Sequence, residues 1–174
     1  MIIRKATFDD IEKVSNIYIN IHYEESMGKT TTGWLKGIYP VYDTAKAAFE
    51  RGDLFVAEND GRVVAAAIIN KIQGEVYEKA CWEYDTAPEN VMVLHTLVVD
   101  PCCSKSGIGT EMVAFYEKYA LENNCPELRM DTNARNTVAR KLYKKLGYKE
   151  VSIVPCVFNG IPGVQLVCLE KRVK

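Results

Sequence analysis

The feature that most constrains the fold of this chain is an apolar strand pattern that leads, through a short loop, into a helix beginning near two glycines. The strand pattern covers residues 91–99, and its nearly continuous hydrophobicity is typical of a strand buried inside a protein. The loop reads PCCSKS, and the helix pattern extends from about Gly107 to Asn123. This order of elements places a central strand within a sheet that helices flank.

Strand and helix patterns alternate along the chain. The strand patterns cover residues 2–7, 54–58, 62–71, 91–99, 128–131, 151–158 and 164–171. The helix patterns cover residues 8–22, 44–51, about 107–123, and a stretch from Asn133 or Asn136 to Gly147. Asn59, Asp60 and Gly61 form the strongest hairpin signal. We therefore predict one α+β domain over residues 1–174, with a mixed, mostly antiparallel twisted sheet of about seven strands flanked by about four helices.

Charge and composition exclude several classes of protein. Lys and Arg number 22 against 23 Asp and Glu, a net charge of -1, so binding to nucleic acid or to an acidic membrane is not expected. No apolar run approaches the roughly 18 residues of a membrane span, and the N-terminus does not resemble a secretory signal. The six cysteines include no CxxC pair, so no metal site is predicted. Reduced thiols in a cytoplasmic protein are the expected state.

The loop before the helix has the features of an anion site. The first N–H groups of a helix have no partner within it and lie at the positive end of the helix dipole, where phosphate binds well. A nucleotide-hydrolase P-loop is excluded because no Lys follows Gly107 or Gly109. A dinucleotide-binding turn is disfavoured because Met112 occupies the third glycine position, although Asp131 lies 22 residues beyond Gly109, near the expected acidic position.

Two segments resemble the GNAT acetyltransferase superfamily. Residues 104–109, after LVVDP, are similar to its pyrophosphate loop [RQ]xxGx[GA], except that Ser104 replaces the family's Arg or Gln. NTVARKLYKKLGY, residues 136–148, is similar to its NxxAxxLYxxxGF segment. The resemblance implies that acetyl-CoA is the acetyl donor. It assigns the following residues to binding it: Leu97, Val98, Val99, Ser104, Lys105, Ser106, Gly107, Ile108, Gly109, Thr110, Asn136 and Tyr143.

The resemblance also implies catalytic roles. Asn136 would hydrogen-bond the pantetheine arm, and Tyr143 would donate a proton to the departing CoA thiolate. Acetyl transfer to an amine needs a base, and His95 lies at a strand position where some family members carry one. Two interpretations of His95 remain open: it accepts the amine proton directly or through water, or it is a core histidine hydrogen-bonded to a neighbouring strand or to Thr96.

The resemblance implies an N-acetyltransferase that uses direct attack in a ternary complex on a primary amine, with a small molecule as the expected acceptor. Candidate acceptor-binding residues are His22, Glu24, Tyr39 and Glu83. An acyl-CoA-binding sensor or scaffold without efficient transfer is the alternative, and Ser104 is the residue that favours it. A homodimer is compatible with the exposed sheet edges of such folds.

Overall fold

The computed structural model describes residues 1–104 and 106–174, and this part of the chain contains seven β-strands and four α-helices. The strands are β1 Ile2–Lys5, β2 Leu54–Asn59, β3 Arg62–Asn70, β4 Val91–Val99, β5 Glu127–Asn133, β6 Lys149–Phe158 and β7 Ile161–Arg172. The helices are α1 Asp10–Ser26, α2 Tyr42–Arg51, α3 Ile108–Glu122 and α4 Thr137–Lys145. Within the same residues, no helix combines the length and apolar character that crossing a bilayer requires.

All seven strands belong to one sheet, in the order β1-β2-β3-β4-β5-β7-β6. Neighbouring strands are antiparallel except for β4 and β5, which are parallel. The predicted mixed, mostly antiparallel α+β architecture is therefore confirmed. β5 covers seven residues rather than the four predicted, because residues 127–133 all pair with β7, and this long-range pairing is not visible in local sequence.

Local sequence signals explain the turns that join these elements. Asp60 and Gly61, between β2 and β3, have φ values of 49° and 76°, the pair of positive φ angles that a tight hairpin turn requires. α2 ends at Gly52, whose φ of 76° is the left-handed conformation of a helix C-terminus. Both turns follow from residue types that tolerate positive φ.

Helices cover both faces of the sheet. On one face, apolar residues of α1 and α2 form one core cluster with residues of β2, β3 and β4, and its members include Ile17, Tyr18, Leu54 and Ile68. On the other face, α3 and α4 pack against the central strands, and their core residues are Met112, Val113, Tyr116 and Tyr143. The central strand β4 thus contributes to both hydrophobic layers, with Val98 in the first and Met92 and Leu94 in the second.

Candidate functional site

β4 and β5 separate at the centre of the sheet. Their parallel pairing ends at Leu94 and Met130. Beyond this point β4 continues along β3 to Val99, whereas β5 continues along β7 to Asn133. The β5-facing backbone edge of β4 after Leu94 is therefore open to an added extended chain, which can pair with it as another strand would.

A β-bulge accompanies the separation. Ala66 of β3 pairs with Val98 of β4, and Ile68 pairs with His95. Two steps along β3 therefore correspond to three steps along β4, so β4 contains one extra residue here. Thr96 lies in the bulge with φ 47°, a conformation that costs a β-branched residue about 1–3 kcal/mol. The hydroxyl groups of Thr96 and Tyr39 form a hydrogen bond that holds this conformation in place. Bulges of this kind redirect a strand and often lie beside active sites.

A cavity of about 790 Å³ opens at the point of separation. Its volume lies within the range of small-molecule and cofactor sites. Predicted site residues that line it are His95, Leu97, Val98, Val99, Ser104, Asn136 and Tyr143, together with the acceptor candidates Glu24 and Tyr39. The structure thus brings nine of the predicted residues to one cavity, although they are widely spaced along the chain. The predicted glycine-loop residues from Ser106 to Thr110 are not part of its lining.

The glycine loop leads directly into the N-terminus of α3. Gly107 precedes the helix with φ 85°, and the first helical hydrogen bond runs from Glu111 N–H to Gly107 C=O at 3.1 Å. The N–H groups of Ile108, Gly109 and Thr110 therefore belong to the first turn, where a helix has no carbonyl to offer them. A diphosphate is a chemically suitable partner for this cluster of donors.

Hydrogen bonds within the loop fix its path. The Ser106 hydroxyl donates to the carbonyl of Cys103 at 2.5 Å, and the Cys102 N–H donates to Asp100 at 3.2 Å. Asp100 also pairs with Arg62 at 2.7 Å. Although burial raises it, hydrogen bonds from Cys102 and Arg62 hold the pKa of Asp100 below its usual value, so the carboxylate stays charged. Lys105 was also predicted to bind the donor, but it lies outside the described residues.

α4 carries the second predicted segment. The Asn136 side chain accepts a hydrogen bond from Ala139 N–H at 3.2 Å and so caps the helix, with its amide nitrogen left to donate elsewhere. Tyr143 is buried against Tyr148, with ring centroids 6.1 Å apart, and it also lines the cavity. Burial, reinforced by the negative charge of Asp131, raises the pKa of Tyr143 well above its usual value. Its hydroxyl is therefore protonated at neutral pH and able to donate a proton.

His95 is neutral in this environment. Burial lowers its pKa to about 4, and hydrogen bonding to the backbone of Ile72 only partly opposes this. Its Nε2 lies 3.1 Å from Asn70 Oδ1, an atom that also accepts from Ile72 N–H at 2.8 Å. Because Oδ1 can only accept, Nε2 carries the proton and Nδ1 keeps a lone pair. His95 thus has the strand-to-strand hydrogen bond of a core histidine and also contacts the cavity.

The acceptor candidates fall into two groups. Glu24 and Tyr39 line the cavity, and burial raises the pKa of Tyr39 to about 12. His22 and Glu83 lie elsewhere. His22 Nε2 donates to the carbonyl of Pro40 at 2.9 Å. Glu83 forms an ion pair with Lys149, a contact across 66 residues that local sequence does not reveal.

Asp131 and Tyr77 are cavity residues that sequence reasoning did not place in the site. Asp131 follows the last β4–β5 pair directly, and its Oδ2 accepts a hydrogen bond from the Tyr77 hydroxyl at 2.7 Å. Burial raises the pKa of Asp131 to about 6, in opposition to the Tyr77 hydrogen bond. The available signal is a carboxylate at the end of the short strand pattern Leu128–Asp131, because a carboxylate is costly to bury without a function or a partner. Among the described residues, no group of three or more His, Cys, Asp or Glu side chains could hold a metal ion.

Comparisons with known proteins identify the family of this chain. Residues 19–148 match the model of the acetyltransferase (GNAT) family. Over 100 residues the chain is 27% identical to the type 1 aminoglycoside N(6')-acetyltransferase of Salmonella typhimurium, covering 58% of this chain and 64% of that protein. It is 26% identical over 158 residues to an uncharacterized N-acetyltransferase of Methanocaldococcus jannaschii, covering 89% of this chain and 82% of that one.

A solved structure shares the whole fold. The crystal structure of a GNAT-family acetyltransferase from Streptococcus agalactiae matches with a TM-score of 0.81 and 20% identity, covering 99% of this chain and 95% of that chain. The family match extends from within α1 to the end of the NTVARKLYKKLGY segment, and so includes the bulge and the glycine loop. The chain belongs to the GNAT acetyltransferase family.

Proposed function

We propose that residues 1–174 form one domain that transfers an acetyl group from acetyl-CoA to a primary amine of a small molecule, by direct attack in a ternary complex. The observation that carries the proposal is the open backbone edge of β4, which borders a cavity that also contacts Ser104, the residue that begins the phosphate-type loop before α3. Elements from both ends of the chain, β1 and β7, belong to the same sheet, which supports a single domain.

The residues present fit acetyl-CoA as the donor. N–H groups from Ser106 to Thr110, with Lys105, would bind the diphosphate, and Ser104 replaces the Arg or Gln of the family at the start of this loop. The Asn136 amide nitrogen and the backbone of residues 97–99 would bind the pantetheine arm by hydrogen bonds, as an added strand does. Acetyl-CoA supplies a thioester whose carbonyl carbon is open to attack by an amine.

Tyr143 is the proposed proton donor to the leaving thiolate. The C–S bond breaks as the N–C bond forms, and the sulfur takes up the phenolic proton. The hydroxyl is protonated throughout the neutral range, as this role requires, although its raised pKa makes it a weaker acid than an ordinary tyrosine. A backbone N–H of the open β4 edge would stabilise the negative charge that develops on the carbonyl oxygen.

His95, directly or through a water molecule, is the proposed acceptor of the amine proton. Its lowered pKa leaves it unprotonated at neutral pH, and the hydrogen bond from Nε2 to Asn70 leaves the Nδ1 lone pair free to accept. The same lowered pKa makes His95 a weak base. We therefore expect His95 to assist transfer of the amine proton through water to solvent, and not to accept that proton alone.

The test is acetylation of a panel of primary amines by the purified protein, with the products identified by mass spectrometry. We expect an N-acetylated product, with His95→Ala and Tyr143→Phe each lowering kcat by about 10²-fold, as for other lost acid–base groups. Unchanged kcat/KM in both variants between pH 6 and 9 would refute the role assignment. Saturable acetyl-CoA binding with no product from any amine would instead favour a binding module.

A further inference from the structure

The charges around the cavity are paired, with one exception. At its rim, Glu24 pairs with Lys29 at 3.2 Å, and Arg51 pairs with Asp53 at 2.8 Å. Asp131 also lines the cavity, but no cation lies within ion-pair distance of it in the described part of the chain. A carboxylate removed from water is unfavourable unless a cation or several hydrogen-bond donors compensate it.

The surroundings of Asp131 supply a single donor. The Tyr77 hydroxyl donates a hydrogen bond to Oδ2, and no side chain of the described residues donates to Oδ1. The titratable groups whose pKa values respond to this carboxylate are uncharged hydroxyls and thiols, and none is a cation: Tyr39, Tyr77, Tyr143, Cys156 and Cys168. Oδ1 of Asp131 therefore has no cationic partner among the described residues, whereas the other carboxylate of the lining, Glu24, pairs with Lys29.

Tyr77 is itself held firmly. It is buried in a short 3-10 helix, Glu75–Lys79, and its backbone carbonyl accepts a hydrogen bond from Trp82 Nε1 at 2.8 Å. The guanidinium of Arg129 lies over the Trp82 ring, 4.2 Å from its centroid, a cation–π contact that fixes this segment to β5. The hydrogen bond from the Tyr77 hydroxyl to Oδ2 consequently orients the Asp131 carboxylate, and so fixes the direction in which Oδ1 points.

The register of the strands places Asp131 on the same face as His95. Val93 pairs with Arg129. His95 lies two residues after Val93, and Asp131 lies two residues after Arg129. Because side chains two apart on a strand point to the same face, His95 and Asp131 face the cavity from neighbouring strands at the point where these begin to separate. Aromatic side chains of Trp34, Tyr39 and Tyr77 also line the cavity, and such rings favour a cation.

We propose that the Asp131 carboxylate, oriented by Tyr77, binds the ammonium group of the acceptor, so that the acceptor is an amine that carries a positive charge at neutral pH. This inference rests on the proposed acetyl transfer and specifies its substrate class. The ammonium N–H groups donate to Oδ1, and the aromatic walls contact the adjoining carbon atoms. Asp131 binds the amine beside His95, the group proposed to assist removal of its proton.

The test is calorimetric binding of two matched probes to the full chain in the presence of saturating CoA, which prevents turnover. Phenethylamine is a cation at pH 7.5, whereas 4-ethylaniline is neutral and of similar size. The variants are Asp131→Asn, Tyr77→Phe and Glu78→Gln, the last a control that removes an exposed charge from the same short helix. Further cationic amines, including a diamine and an amino sugar, extend the panel.

We expect the wild type to bind at least one cationic amine, and Asp131→Asn to weaken that binding by about 30-fold or more, as for loss of one partner of a buried ion pair. Binding of 4-ethylaniline should change little, Tyr77→Phe should fall between wild type and Asp131→Asn, and Glu78→Gln should match wild type. Unchanged binding of the cation by Asp131→Asn overturns the inference. So does the absence of binding by every cationic amine in protein that binds CoA.

Failure of the proposed transfer has a different signature. It would appear as a wild-type protein that binds no acetyl-CoA, or that binds both acetyl-CoA and a cationic amine without forming N-acetylated product. A normal affinity of Asp131→Asn for acetyl-CoA shows that the variant is folded and that its donor site is intact.

Discussion

Removal of one buried hydroxyl should measurably weaken the junction of β4 and β5. Tyr116, on α3, is completely buried, and its hydroxyl contacts both strands: Met92 C=O at 2.7 Å and Arg129 C=O at 3.1 Å. Burial raises the pKa of Tyr116 well above its usual value, so the hydroxyl remains protonated at neutral pH. Tyr116→Phe removes both contacts and leaves a small void in a site closed to water.

The expected cost follows from the single proton that the hydroxyl shares between two carbonyl oxygens. Tyr116→Phe removes this buried donor and leaves a buried acceptor without it, which should lower the free energy of unfolding by about 1–3 kcal/mol. For a chain of this length each kcal/mol corresponds to a Tm lower by about 2–4 °C. Urea denaturation followed by circular dichroism measures the first quantity, and a thermal scan measures the second.

Tyr119→Phe is the matched control for this measurement. Tyr119 lies one turn further along α3, and its ring packs on Phe55 with centroids 4.9 Å apart, but its hydroxyl donates to no described residue. We expect the control to stay within about 0.5 kcal/mol of wild type, as exposed or unpartnered groups do. Equal stability of the two variants would show that the Tyr116 hydroxyl does not join β4 to β5, and would refute the reasoning.

Three further predictions concern the site. Tyr143→Phe should lower kcat by about 10²-fold with an unchanged acetyl-CoA Kd, whereas a raised Kd with normal kcat would assign Tyr143 to binding alone. Gly107→Ala, at φ 85°, should destabilise by about 1 kcal/mol and weaken acetyl-CoA binding in calorimetry; Gly61→Ala, at φ 76° in the β2–β3 hairpin, should have the first effect without the second. Because the Asp131 pKa is raised to about 6, the folded protein binds its proton more tightly than the unfolded chain, and this stabilisation is lost as pH rises from about 4 to 6. Denaturation of Asp131→Asn across that range should lack this loss, and identical pH profiles for variant and wild type would contradict the raised pKa.

Much of the fold follows from local sequence. β4 has the bounds that its apolar run predicts, the Asp60-Gly61 turn closes the expected hairpin, and Asn136 caps α4 as one of two predicted alternatives. Each of these features depends on residues close together in the chain, where hydrophobic periodicity and φ preferences decide the outcome. The glycine loop is likewise recognisable because its residue types and spacing are themselves the signal.

The parts that could not be predicted depend on distant partners. The left-handed Thr96 is not a residue that sequence rules place at positive φ, and its bulge is held by Tyr39, 57 residues away. Asp131 gains its role from Tyr77, 54 residues away in the chain. Conversely, Glu83 has the residue type expected of an amine-binding group, but Lys149 draws it into an ion pair outside the cavity.

The central claim is that the open edge of β4 and the loop before α3 together bind acetyl-CoA for transfer. A calorimetric titration of the purified protein with acetyl-CoA, with NAD as the matched dinucleotide control, tests it most directly. We expect saturable binding of one acetyl-CoA per chain, weakened by Gly107→Ala, and no response to NAD. Folded protein that binds NAD, or that fails to bind acetyl-CoA, would contradict the account. Failure to bind acetyl-CoA would indicate that Ser104 has replaced a residue that the donor site requires.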